Sequence, residues 1–407
     1  MATQTSTNLT GAITTRYTQA YQRAAEVERL YDQLATPVSA SQFDLESRRG
    51  LGSTYTFNFA SDMGITNQTV SEDDDIATQI LRDATATLTP TSCSDGLRWS
   101  QLLDLSAYTD YIALRAEVLG RNMMETIDNQ ARNAALQGSL VVRAAARASL
   151  DAGTATHNWT EAGVWAAMST AESLKCPPYV DFRGRKMYMA IAHPDAYYDM
   201  FHGGNVVSAA IYGGLPGSTL LNGELGEVAN CKLVISPSAK VFGAAGADNG
   251  TSMNTGSGYT LSAAANALAT SIGVTTATNI ASGRFLTIGT EETGATHYDD
   301  NERVKHVSGT TTSVIVGQGA NGGLRFDHAL GATVYNNDSV YPVAYGSPTS
   351  LVKVFAQEVG EFGELVGPNK VGTVEQWTTL AWKWFGAYGR MAENYIIRGE
   401  YSSSLDA

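Results

Sequence analysis

The period of the apolar positions changes several times along the chain, and each change marks an element. Between residues 15 and 34 they fall at Tyr17, Tyr21, Ala24, Val27, Leu30, Tyr31 and Leu34. Steps of three and four residues put them on one stripe of a helix, which Pro37 stops. After Gly50 and Gly52 the period drops to two. Tyr55, Phe57 and Phe59 alternate with Thr54, Thr56 and Asn58, the pattern of a strand. A polar tip follows, with acids at 72–75, and residues 76–89 return to Pro90. The expectation is a long two-stranded hairpin over 50–90, marginal in water without a partner surface. The strongest helical pattern comes next, at Tyr108, Tyr111, Ile112, Leu119, Met123, Ile127, Ala131 and Ala134. Trp99, Leu102 and Leu103 lead into it. Asp104 or Ser106 can cap its start, and Gly138 fits just past its end. Some thirty residues make a strut of roughly 45 Å, longer than the core of an ordinary domain.

Residues 159–242 read as mixed α/β. Helix is expected at 160–174, closed by Pro177 and Pro178, and again at 195–201. Strands are expected at 187–192 and 233–236, with a Gly-rich loop at 203–217. Residues 243–346 differ in composition: Gly and Thr dominate, and the basic residues are Arg284, Arg303, Lys305 and Arg325. One helix at 263–272 and strands at 284–288, 303–307, 312–316, 324–328 and 333–335 suggest a small β-barrel or sandwich inserted into the chain. Closing strands follow at 351–355, 380–385 and 395–397, and in the second of these Leu380, Trp382 and Trp384 share a face. The fold class is α+β.

Composition narrows the function. The 407 residues carry a formal net charge of -13 and are 16% charged. A nucleic-acid reader or an anionic-membrane binder needs an exposed basic field, which this chain lacks. No apolar run reaches membrane-spanning length. Residues 1–15 have neither a basic start nor an apolar core, so a cytoplasmic protein is expected. Cys93, Cys176 and Cys231 fit neither a disulfide framework nor a zinc pair and read as reduced thiols. Gly317, Gly319 and Gly322 have dinucleotide-fingerprint spacing, but the alternation after them is that of a strand rather than a phosphate-binding helix. The acids at 72–75 lack the glycine and terminal Glu of a calcium loop, and the pairs Glu291/Glu292 and Asp299/Asp300 fall in turn-like stretches. His193 precedes Pro194 at a strand-to-helix corner and reads as structural. No catalytic, cofactor or metal site is expected.

The order of parts is the informative feature: a docking arm, a hairpin that cannot stand alone, a strut helix, an α/β region with a β insert, then closing strands. It resembles the tailed-phage major capsid proteins of the Hong Kong phage fold. "WSQLLDLSAYTD" at 99–110 and "ETIDNQARNAALQG" at 125–138 are similar to that family's spine-helix lead-in and ending. "MAIAHPDAYYDM" at 189–200 resembles its axial-domain strand ending in His-Pro. "GELGEVANCKLVISPSAKVF" at 223–242 resembles the strand passing back to the peripheral domain, and "LAWKWFGAYGRMAENYIIRGEYSS" at 380–403 its closing strands. Podovirus-like members are the most similar.

The resemblance implies an N-terminal arm (1–49), an E-loop (50–90), a peripheral domain with the spine helix (91–158), an axial domain (159–242), a β insert (243–346) and closing strands (347–407). It implies many copies assembling as pentamers and hexamers of a virion shell in the host cytoplasm. Scaffolding and portal proteins, a candidate decoration protein, and DNA enclosed without sequence-specific contacts are the implied partners. The Lys–Asn cross-link of some members is not expected, because the hairpin has no lysine. The expected assembly residues are Tyr17, Tyr21, Leu30, Tyr31, Leu34, Tyr55, Phe57 and Phe59, each covered by a neighbouring copy. Competing expectations are an encapsulin-like compartment shell and a glycan-binding surface protein acting through the insert.

Overall fold

The computed structural model describes residues 30–39, 54–60, 63, 65, 78, 80–106, 111–146, 150, 154–180, 184, 186–202, 227–243, 259–275, 285–289, 302–305, 307–309, 313–316, 323–335, 339–347, 350–355, 361, 363–373, 375–390, 392 and 395–406. Tyr17, Tyr21, the helix pattern before residue 30, the acids at 72–75, 291–292 and 299–300, and the loops at 203–217 and 317–322 lie outside these residues. The chain forms two compact units, Met1–Ala131 with Thr349–Met391, and Arg132–Pro348 with Ala392–Ala407.

The first unit opens with β1 (Ala35–Ser39), β2 (Tyr55–Ala60), β3 (Asp83–Leu88), β4 (Thr91–Ser100), α1 (Gln101–Ser106) and the start of α2 (Tyr111–Leu136). It closes with β19 (Leu351–Phe355), β20 (Glu364–Val371) and β21 (Trp377–Arg390). Strand β21 pairs antiparallel with β4, β19 and β20, and β1 joins β19 in parallel. The period-2 reading of β21 holds. Thr378, Leu380, Trp382 and Trp384 are buried, and Lys383 between them faces solvent. Each buried indole N–H has an acceptor, as burial demands. Trp382 Nε1 donates to Asn122 Oδ1 at 2.8 Å, and Trp384 Nε1 to the Glu361 carbonyl at 3.2 Å. On α2, Ala116, Leu119, Met123, Ile127 and Ala131 form the buried stripe that their spacing predicts. The described helix runs 26 residues, and Trp99 of the expected lead-in lies in β4.

Two expectations for the arm are corrected. Tyr31–Leu34 is a 3-10 turn, and Pro37 lies in β1 rather than ending a helix. Pro is tolerated there because β1 is the edge of its sheet.

The second unit holds β5 (Val141–Arg143), α3 (Glu161–Ser173), β6 (Tyr179–Val180), β7 (Lys186–Ala192), α4 (Pro194–His202), β8 (Glu227–Val228), β9 (Cys231–Ile235), β10 (Phe242–Gly243), β18 (Ser339–Gly346) and β22 (Ile396–Tyr401). One mixed sheet runs β5-β22-β18-β7-β9-β8, with β10 on β18 and β6 on β7. Its core joins Trp159, Val164, Met168, Tyr188, Tyr197, Leu233, Tyr345 and Tyr401. Trp159 Nε1 donates to the Tyr345 hydroxyl at 2.8 Å, and the Tyr345 and Tyr401 hydroxyls sit 3.2 Å apart. His193 is structural, as expected. Its Nδ1 accepts the Asp195 N–H at the start of α4, and its ring lies against Tyr341.

Buried phenols make this unit alkali-sensitive. Burial pushes Tyr345 well above the ordinary value, Tyr401 up to about 12, and Tyr197 further still. The unfolded phenols ionise near pH 10, and the buried neutral forms resist ionisation. Stability is therefore complete below about pH 10 and falls as pH rises toward the folded values. Urea midpoints are expected to drop steeply above about pH 10, and more gently in Tyr197→Phe. Parallel profiles for the two proteins would contradict this.

The insert leaves and rejoins at a strand pair. Phe242 pairs with Val340 and Gly243 with Ser339, so residues 244–338 fill the connection between adjacent antiparallel strands. Its end is thus earlier than 346, because β18 is a fully buried strand of the large sheet. Within it, β11 (Tyr259–Thr260), β17 (Thr333–Tyr335), β13 (Phe285–Ile288) and β14 (Glu302–Lys305) make one sheet. β12 (Ser271–Gly273), β16 (Ser313–Ile315) and β15 (Ser308–Gly309) make another. The two share a core of Leu261, Ile272, Val274, Leu286, Ile288, Leu324 and Val334. The helix expected at 263–272 is absent. Its amides bond across the chain instead, Ala265 N–H to His328 O and Leu268 N–H to Leu324 O. The strand expected at 324–328 is reduced to the single Ala265–His328 bridge.

Candidate assembly surfaces

The hairpin forms, with its return strand confined to Asp83–Leu88. β2 and β3 pair from Tyr55 with Leu88 to Ala60 with Asp83. Directly opposed residues share a face, so Tyr55 and Phe57 lie on one face with Ala86 and Leu88, and Thr56 lies on the other with Thr85 and Thr87. Among the described residues this ladder has two strands and no third. Leu88 fixes its base by packing against Gly389 of β21, where even a Cβ would come within 2.9 Å of the leucine. Tyr55 and Phe57 are half-buried in their own unit. Phe59 pairs with Ala84, and its side chain lies outside the described ones.

Between β2 and β3, four apolar side chains among the described residues are exposed. Ile65 is 97% exposed and Ile80 88%, and Met63 and Leu81 are also exposed. The sequence reading missed these four, because they interrupt a polar stretch without periodicity. Single exposed apolar residues are ordinary, but four in the one connection between β2 and β3 make that stretch a candidate contact surface.

The arm residues divide differently from the expectation. Tyr31 and Leu34 are fully buried within the first unit, and Leu30 is half-buried. Tyr31 and Leu34 therefore cannot serve as surfaces for a neighbour. They are held by Asp128 on α2, whose Oδ1 accepts the N–H groups of Leu30, Tyr31 and Asp32 at 3.2, 2.9 and 3.1 Å. Asp32 itself is paired with Lys353 of β19 at 3.0 Å. What is anchored is the root of the arm.

In the second unit, Arg303 of β14 reaches Asp195 in the first turn of α4 at 2.7 Å, and its guanidinium lies over the Tyr341 ring. This ion pair ties the insert to the large-sheet part of the unit. Cys176 and Cys231 are buried, and burial raises the Cys176 thiol, which disfavours the reactive thiolate. No cluster of metal-ligating side chains occurs among the described residues, and no described helix is long and apolar enough to cross a membrane.

No family model and no curated protein matches this sequence. Solved structures do match its fold. The capsid asymmetric unit of Cyanophage Pam1 aligns with a TM-score of 0.55 at 13% identity, covering 94% of this chain and 92% of that one. The capsid of Ralstonia phage GP4 aligns at 0.52 and 10% identity, covering 92% and 91%. The capsid of Helicobacter pylori bacteriophage KHP30 aligns at 0.51 and 10% identity, covering 92% and 89%. The chain has the α+β fold of phage capsid proteins over nearly its whole length, as its order of parts implies.

Proposed function

We propose that this chain is the major capsid protein of a tailed bacteriophage. Many copies assemble as pentamers and hexamers of an icosahedral shell that encloses double-stranded DNA. The observation that carries this reading is the fold match to capsid chains across more than nine-tenths of the sequence. The uncovered apolar residues of the hairpin supply a physical reason to associate. Heterologous contacts of this kind close into rings, and rings of two sizes close a shell.

The role is geometric. Permanent interfaces of roughly 2,000–5,000 Å² make such contacts durable, and the low charge content suits a surface that is largely interface. A net charge of -13 does not attract DNA, so filling the shell falls to a separate packaging motor. A scaffolding protein and a portal are the partners this assembly requires, and the virion is where the protein resides. The podovirus-like affinity rests on the quoted sequence stretches.

Electron microscopy of the chain expressed with its scaffold tests the reading. Closed shells of uniform size are the expected result. Dispersed monomers at high concentration would overturn it, and small cages packed with an enzyme would reassign it to a compartment shell.

A further inference from the structure

The arm root holds a cluster of buried charges around Lys353. Lys353 lies on the middle strand β19, between β1 and β21, with its side chain 1% exposed. Its Nζ is 3.0 Å from Asp32 Oδ1 and 3.5 Å from Glu361 Oε1. The Tyr388 hydroxyl donates to the same Asp32 oxygen at 2.5 Å. Tyr388 is directly opposite Lys353 in the β19–β21 register, and the ammonium lies over its ring. Asp128 fixes the Asp32 backbone from below through the Asp32 N–H.

An amine, a carboxyl and a second carboxylate are thus held together, with two of the three out of water. Burying an ion pair costs desolvation of both members, whereas an amide in the same place carries no net charge. Holding the reacting groups in contact removes the entropic cost of bringing them together.

We propose that Lys353 and Asp32 form an intramolecular isopeptide bond in the folded chain. Glu361 takes a proton from the Lys353 ammonium, the freed amine attacks Asp32 Cγ, and the C–N bond forms. The charge that develops on Oδ1 is met by the Tyr388 hydroxyl, as an oxyanion donor would meet it. In becoming an amide the ammonium nitrogen gives up two protons. Glu361 relays them to Asp32 Oδ2, the Cγ–Oδ2 bond breaks, and the oxygen leaves as water. The step is a condensation with no change of oxidation state. The Glu361 side chain is 33% exposed, which gives the released water a way out. The bond would weld the turn that leads into β1 to β19 without involving a second subunit, and it differs from the intersubunit cross-link that the hairpin cannot make.

Intact-mass spectrometry of the full-length folded protein tests this. The expected mass is lower than the sequence mass by one water, and tryptic mapping should yield a branched peptide joining the Asp32 and Lys353 segments. Glu361→Gln should keep its full mass with an unchanged circular dichroism spectrum, and Lys353→Arg should do the same. A wild-type chain at full sequence mass after prolonged incubation would overturn the proposal, as would dehydration mapped to another site. The readout is independent of whether shells form, so its failure leaves the capsid reading standing.

Discussion

Lysine placed at both Ile65 and Ile80 will leave a folded subunit that builds no shells. Neither isoleucine contributes to the fold of its own unit, being 97% and 88% exposed. Surface substitutions of this kind change stability by roughly 0.5 kcal/mol or less, so the melting temperature should hold. Assembly is another matter. Covering each isoleucine contributes about 1.5–3 kcal/mol, and forcing an unpaired ammonium into the same contact adds a desolvation cost of several kcal/mol. The loss recurs at every copy in the shell, so the outcome is close to all-or-none. Sedimentation and negative-stain images of the variant beside wild type decide it. Normal particles from the double variant would show that the hairpin end is a passive loop and would remove the physical reason for association offered above.

Legibility in the sequence followed the range of the interactions. Elements defined by local period were readable: Lys186–Ala192, Leu351–Phe355, Glu161–Ser173, and the alternation of Leu380, Trp382 and Trp384. The His193–Pro194 corner was readable because Pro suits the first turn of a helix. Features fixed by distant partners were not. Tyr31 and Leu34 belong to an apolar stripe by spacing, yet they are buried because Asp128 and Lys353, far away in the chain, hold that turn. The alanine-rich run 263–272 has helical propensity, and the cross-chain bonds to Leu324 and His328 override it. Ser339–Gly346 looked like part of the insert by composition, and pairing with β7 and β22 places it in the large sheet. For the hairpin, Tyr55 and Phe57 were legible through their period. The exposed Met63, Ile65, Ile80 and Leu81 follow no period, so nothing in the sequence singled them out.

Glu400→Ala should destabilise the second unit more than any single truncation on its surface. Glu400 is fully buried on β22 between two arginines, with Oε2 2.8 Å from Arg143 Nε and Oε1 2.8 Å from Arg398 Nε. Arg398 is equally buried, and its Nη1 donates to the carbonyl of Leu136, the last residue of α2. A helix C-terminus leaves such carbonyls without intrahelical partners and carries partial negative charge, which a cation offsets. Glu400 thus neutralises the cation that caps the long helix. Removing it leaves a buried guanidinium without its carboxylate, a loss of about 3–5 kcal/mol. For a unit of this size that is roughly 6–20 °C in melting temperature. Exchanging Arg398 and Glu400 together for methionine and leucine removes both charges at once, and much of the stability should return despite the lost cap. Denaturant unfolding of the single and double variants measures both. A single variant within about 1 kcal/mol of wild type would mean that the carboxylate does not carry the cap.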